Sequence, residues 1–89
     1  MKAILTVIGA DKVGIVAGVT QKLAELEINI LDISQTIMGN SFTMIMLCDL
    51  SGSKREFGEI KEALNQKGDE LDVKITVQRE EIFDAMHRI

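Results

Sequence analysis

The stretch Lys2-Ala3-Ile4-Leu5-Thr6-Val7-Ile8-Gly9-Ala10 passes directly into Asp11-Lys12-Val13-Gly14-Ile15-Val16-Ala17-Gly18-Val19, and this passage decides the fold. Residues 2–8 are β-rich and almost wholly apolar, as suits a central strand with both faces covered. Ile15, Val16, Val19, Leu23 and Leu26 then recur at helical spacing, which predicts an amphipathic helix over residues 14–26. Strand therefore turns into helix through a short loop. Gly14 lets another group approach the backbone of that loop, and a helix N-terminus presents N–H groups and partial positive charge. The junction is accordingly the first candidate for a ligand contact.

The rest of the chain repeats the unit. Residues 28–38 are extended in character, with Asp32, Ser34 and Thr36 on one face and Leu31, Ile33 and Ile37 on the other, predicting a half-exposed strand. Gly39-Asn40 reads as a tight hairpin turn, because both residues tolerate positive φ. Residues 42–48, Phe-Thr-Met-Ile-Met-Leu-Cys, are again apolar on both faces. Ser53-Lys54-Arg55-Glu56 has capping-box spacing, so Ser53 is the expected cap of a second helix that buries Phe57, Ile60 and Leu64, with Gly68 as its stop. Leu71, Val73, Ile75 and Val77 alternate with polar residues as a fourth strand.

This order, βαβ, hairpin, βαβ, is an α+β ferredoxin-like sandwich. Right-handed crossovers put the first and third strands in the centre of an antiparallel sheet of order 4-1-3-2. Both helices then lie on one sheet face. Residues 79–89 place Ile82, Phe83, Met86 and Ile89 on one stripe, with Glu80-Glu81 and His87-Arg88 suiting the helix dipole, and predict an additional C-terminal helix that offers cover for the other face, while spacing leaves open whether it covers its own sheet or packs on a partner. The chain reads as one domain, residues 1–89, with a core over 2–78 and the terminal helix over 79–89.

Composition narrows the partners. Eighty-nine residues bury about 60–65% of the surface exposed on unfolding, leaving little room for a deep cavity and favouring a pocket at a subunit boundary. A net charge of −4, with no basic cluster longer than Lys54-Arg55, argues against nucleic acid. The N-terminus has the pattern of neither a signal peptide nor a membrane span, and a sole cysteine, Cys48, fits a reducing cytoplasm.

A ferredoxin-like fold hosts many chemistries, so each is tested against the residues. Base stacking needs aromatics on the central strands, and Phe42 is alone there. Copper carriage needs paired thiolates near the first loop; Met38, Met44, Met46 and Cys48 read as core filler instead. Acyl-phosphate hydrolysis needs an arginine in the first loop, which offers Asp11 and Lys12. His87 stands near a helix end, suited to the dipole. No catalytic constellation, metal site or cofactor is indicated, and binding is what remains.

The segment Asp11-Lys12-Val13-Gly14-Ile15-Val16-Ala17, followed by Asn29-Ile30, resembles the ACT domain, a small regulatory module of amino-acid-metabolism proteins. The resemblance runs from Ala3 to Val77. It is similar to small stand-alone ACT proteins and to the ACT modules of glycine-cleavage-system transcriptional repressors. It implies a non-enzymatic regulatory module that binds an amino acid or similar small metabolite and signals through an effector protein. The ligand-binding residues it implies are Asp11, Lys12, Val13, Gly14, Ile15, Asn29 and Ile30. Val13 stands where the family often has Pro. Asp11 stands where some amino-acid-binding members have Asn, and can serve only the ammonium end of a zwitterion.

The first two strands run parallel, so Gly14 and Asn29 fall at opposite ends of the sheet, a helix length of about 20 Å apart. Strand 2 is also an edge strand that invites pairing. Antiparallel pairing of two strands 2 in a homodimer brings Asn29 of one copy toward the Gly14 loop of the other, giving two equivalent composite sites. Simpler roles are also open: Asp11 as a helix cap, Gly14 and Gly18 as packing glycines, Asn29 as the turn into strand 2. The alternative function is a ligand-free protein–protein interaction module, with an enzyme ranked last.

Overall fold

The structure, a computed structural model, describes residues 1–81. Its elements are β1 (Lys2–Ala10), α1 (Ile15–Glu25), β2 (Asn29–Met38), β3 (Ser41–Asp49), α2 (Phe57–Leu71) and β4 (Val73–Arg79). The strands form one sheet of order β2-β3-β1-β4 with every neighbouring pair antiparallel. This is the ferredoxin-like βαββαβ fold in the order that the doubly apolar runs predict.

Alternation along the strands separates two sheet faces. Ala3, Leu5 and Val7 of β1, Phe42, Met44, Met46 and Cys48 of β3, and Val73, Ile75 and Val77 of β4 are buried on the helix side. Ile15, Val19 and Leu23 of α1 and Ile60 and Leu64 of α2 close the core over them. Met44, Met46 and Cys48 are thus core residues as expected, whereas Met38 is exposed at the hairpin end.

Element ends depart from expectation for physical reasons. Ser53 does not cap α2. Its N–H is tied to Leu50 O at 3.0 Å in the turn after β3, its hydroxyl accepts from Arg55 N at 3.3 Å, and the helix starts after Glu56. Gly68 does not stop α2; it is buried within the helix, where an added Cβ would meet Val73 O at 2.8 Å. The stop is Asp72, in the left-handed region at φ 57°. Leu71 consequently belongs to the helix and packs on the core, and β4 runs from Val73 through Arg79. The chain is helical at Glu80 and Glu81; the rest of the expected terminal helix lies outside the described residues.

The hairpin joins Met38 to Ser41 through Gly39 and Asn40, and of these two only Gly39 takes positive φ, at 61°. β2 is not the half-exposed strand expected. Only Ile30 is partly buried, because β2 lies at the sheet edge beyond the cover of the helices. A bulge at Leu31 resets the register between Ile30 and Asp32. Ile33 and Ile37, opposite Met46 and Phe42, then share the helix side, while Asp32, Ser34 and Thr36 share the open side.

Candidate functional site

The loop after β1 is shaped by Gly14. It takes φ 95°, ψ −3°, a left-handed conformation that costs a side-chain-bearing residue energy, and nothing stands within 4 Å of where its Cβ would be. Gly14 therefore does not serve close packing. Gly18 does, since a Cβ there would meet Leu71 Cδ1 at 2.9 Å. The first helical bond of α1 returns from Gly18 N–H to Gly14 O at 2.9 Å, so the helix supplies no acceptor for the N–H groups of Ile15, Val16 and Ala17.

No side chain caps α1, which removes the simple capping role for Asp11. The Asp11 N–H donates to Asn40 O at 2.7 Å, tying the loop to the β2–β3 hairpin, and its carboxylate is on the surface. Lys12 pairs with Asp72 at 3.7 Å across solvent-exposed surface. Val13 is fully exposed and Ile15 is buried in the core, so Ile15 offers a ligand only its backbone.

Asn29 does not turn the chain into β2. That turn is made by Glu27 at φ 61°, with Glu27 N–H bonded to Ala24 O at 3.0 Å and Ile28 N–H to Leu23 O at 2.9 Å, a Schellman ending. Asn29 is already in the strand, exposed, beside Asp49, which in turn sits beside Lys2. Asp49 accepts a hydrogen bond from Ser51 N–H at 3.0 Å, which holds its carboxyl below the ordinary carboxylate range. Ile30 packs against the core.

Register places these groups at two poles. Ala10, Ser41 and Met38 lie at one end of the sheet and Lys2, Asp49 and Asn29 at the other. The nine residues of β1 put the ends about 27 Å apart at ~3.4 Å per residue. One protomer thus brings Asp11, Lys12, Val13, Gly14 and Ile15 together and leaves Asn29 and Ile30 remote. A surface hollow of about 480 Å³ beside Asn65, Asp69, Asp72 and Lys74 is lined by none of the seven.

Sequence reasoning did not find Asn40, whose carbonyl fixes the loop; a turn residue gives no local sign of that partnership. Among the described residues no group of three or more His, Cys, Asp or Glu could hold a metal. No described helix is long and apolar enough to cross a membrane.

This is a ferredoxin-like βαββαβ architecture with an open backbone loop at one pole. The chain belongs to the ACT domain family, whose pattern matches residues 2–78. It is 64% identical over 89 residues to a UPF0237 protein of Listeria innocua, covering 100% of both chains. It superposes on an ACT domain protein from Streptococcus pneumoniae with a TM-score of 0.83 at 48% identity, over 98% of each chain. A candidate glycine cleavage system transcriptional repressor matches at TM-score 0.76 and 25% identity, over 86% of this chain and 44% of the other. Family membership gives the general role, regulation through small-molecule binding in proteins that commonly dimerise.

Proposed function

We propose that the protein works as a cytoplasmic homodimer, paired through β2, that binds an amino acid or similar small metabolite at two composite sites and reports to an effector protein. The observation that carries this reading is β2 itself. It is an edge strand, nearly all exposed, with Leu31, Ile33, Ile37 and Met38 bare to solvent. Such an edge is a template for pairing, and burying four large apolar side chains supplies a driving force.

Antiparallel pairing about a two-fold near Ile33 and Ser34 sets Asn29 of one copy beside the hairpin end of the other. The Asp11–Asn40 bond holds the Gly14 loop at that same end. Backbone N–H groups around residues 13–15 then receive a carboxylate, while the Asp11 carboxylate and the partner's Asn29 receive an ammonium group. Lys12, drawn aside toward Asp72, borders the site, Val13 walls it, and the partner's Ile30 stands next to the partner's Asn29. Because each site spans two chains, ligand and dimer stabilise one another.

Thermal-shift measurements across the proteinogenic amino acids, with Asp11→Ala and Asn29→Ala alongside, test this reading. At a hundredfold excess over Kd a true ligand adds about 2.7 kcal/mol of stability. The expected result is a shift for one chemical class, lost in both variants. The absence of any shift rejects the amino-acid ligand and favours a ligand-free interaction module. A shift that survives both substitutions rejects this site.

A further inference from the structure

Two charges of opposite sign stand on the open face of the sheet without an ion-pair partner among the described residues. Alternation puts Lys74 on this face, because Val73, Ile75 and Val77 are buried on the other, and Asp32 shares it. Asp32 accepts a hydrogen bond from its neighbour's backbone, the Ile33 N–H at 2.8 Å, and enters no salt bridge. The Lys74 ammonium group has neither.

Register fixes where the two charges lie. Asp32 is in one row with Leu47, Ile4 and Gln78, and Lys74 is in another with Ile8, Thr43 and Thr36. They sit on the two edge strands, three strand spacings across and four residues along, which is about 14 Å in each direction at ~4.8 Å per strand and ~3.4 Å per residue. The charges therefore occupy diagonal corners of a square. Within it Ile4, Ile8, Ile45 and Leu47 make an apolar patch among uncharged Thr, Ser and Gln, with Ile8 52% and Ile45 41% exposed.

A surface with unlike charges on one diagonal is complementary to itself. A two-fold axis laid along the other diagonal, from Gln78 toward Thr36, sets Lys74 of each copy opposite Asp32 of the other and brings Ile45 against its own counterpart. Because the two offsets are equal, that axis runs at about 45° to the strands and the sheets cross near 90°, one of the two ways in which sheets pack face to face. In the aligned way both charges would fall over Gln78 and Thr36 and stay unpaired.

We infer that the open face is an interface with a second copy of this chain, the sheets crossed and the Lys74 ammonium of each paired with the Asp32 carboxylate of the other. The apolar patch supplies the attraction and the charges set the orientation. This contact uses the sheet face and not the strand edge, so it holds or fails independently of the β2 pairing and of the ligand.

Full-length chains carrying one cysteine each test it. In a Cys48→Ala background, the Asp32→Cys and Lys74→Cys proteins are mixed under mild oxidation. The mixture should give a disulfide-linked dimer severalfold faster than either protein alone, because like positions stand about 20 Å apart across the contact, the diagonal of the square. Equally fast linking of the Asp32→Cys protein with itself would assign the contact to the β2 edge, and no link in the mixture would leave the face to a different occupant; either result overturns the inference. As a second readout, Lys74→Glu and Asp32→Lys should each weaken self-association severalfold in sedimentation equilibrium, and the two combined should restore it. A combined variant no stronger than the single ones contradicts the pairing.

Discussion

The Asp11 N–H donates to the carbonyl of Asn40 at 2.7 Å, so the loop that follows β1 and the hairpin that ends β2 form one rigid corner. The bond determines what Asp11 has left to offer. Its amide is spent on the fold, and its carboxylate is available for recognition. It also couples the candidate ligand loop to the end of the edge strand, where a paired copy would deliver its Asn29.

Gly14→Ala should destabilise the protein by about 1–2 kcal/mol, because φ 95° is left-handed while no atom within 4 Å obstructs a Cβ. Gly14→Asn should cost less, since Asn tolerates this region better. Urea unfolding of the three proteins checks the order; equal stability would mean that the loop relaxes freely.

The packing glycines should divide by what their Cβ would meet. At Gly68 the obstacle is the Val73 backbone carbonyl at 2.8 Å, and Gly68→Ala should cost about 1–3 kcal/mol despite alanine's better helix propensity. At Gly18 the obstacle is the movable end of Leu71, so Gly18→Ala should stay within about 1 kcal/mol of the parent. Denaturation midpoints at constant m-value decide between them.

Glu27 stands at φ 61° in the Schellman ending of α1, where glycine is the favoured residue. Glu27→Gly should therefore stabilise by about 1 kcal/mol, seen as a higher melting temperature. A loss of stability would show that the Glu27 side chain contributes more than its backbone costs.

Burial pushes the Cys48 thiol from its ordinary 9.0 to about 11. The folded state favours the protonated thiol, so this contribution is whole below pH 9 and is lost as pH rises toward 11. The stability difference between parent and Cys48→Ala should shift against the parent across that window, measured by unfolding at fixed pH. Asp49 works in the opposite sense: its lowered carboxyl supports the fold above the ordinary carboxylate range and loses that support in acid. For both groups a flat pH profile of the parent-minus-variant difference, with Asp49→Asn for the second, would contradict the assignment.

What the residues disclosed in advance follows from how local the signal is. The doubly apolar runs at 2–8 and 42–48 named the central strands, because burial on both faces leaves no polar alternation. Gly39 disclosed the hairpin and Ile60 with Leu64 the buried face of α2. The start of α2 differs from the capping-box spacing because Ser53 has capping chemistry but uses it in a turn with Leu50 and Arg55. Gly68 has the local look of a helix stop, but its reason, a strand carbonyl 2.8 Å from its Cβ position, is tertiary. Glu27 and Asp72 in left-handed conformations have no sequence signature of the kind glycine supplies. The candidate site was half visible: the Gly14 loop follows from local chemistry, but its tether to Asn40 does not.

The central claim is that each binding site is built from two chains, and subunit mixing tests it most directly. Asp11→Ala protomers keep Asn29 and lose the loop carboxylate, while Asn29→Ala protomers keep the loop. Each homodimer should fail to bind the amino acid that gives the parent its largest thermal shift. In the mixed dimer, one site joins both defects and the other joins the two intact halves, so calorimetry should recover one site per heterodimer with parental affinity. No recovery in a verified heterodimer would mean that both residues act within one chain, or not at all, and would contradict the shared site.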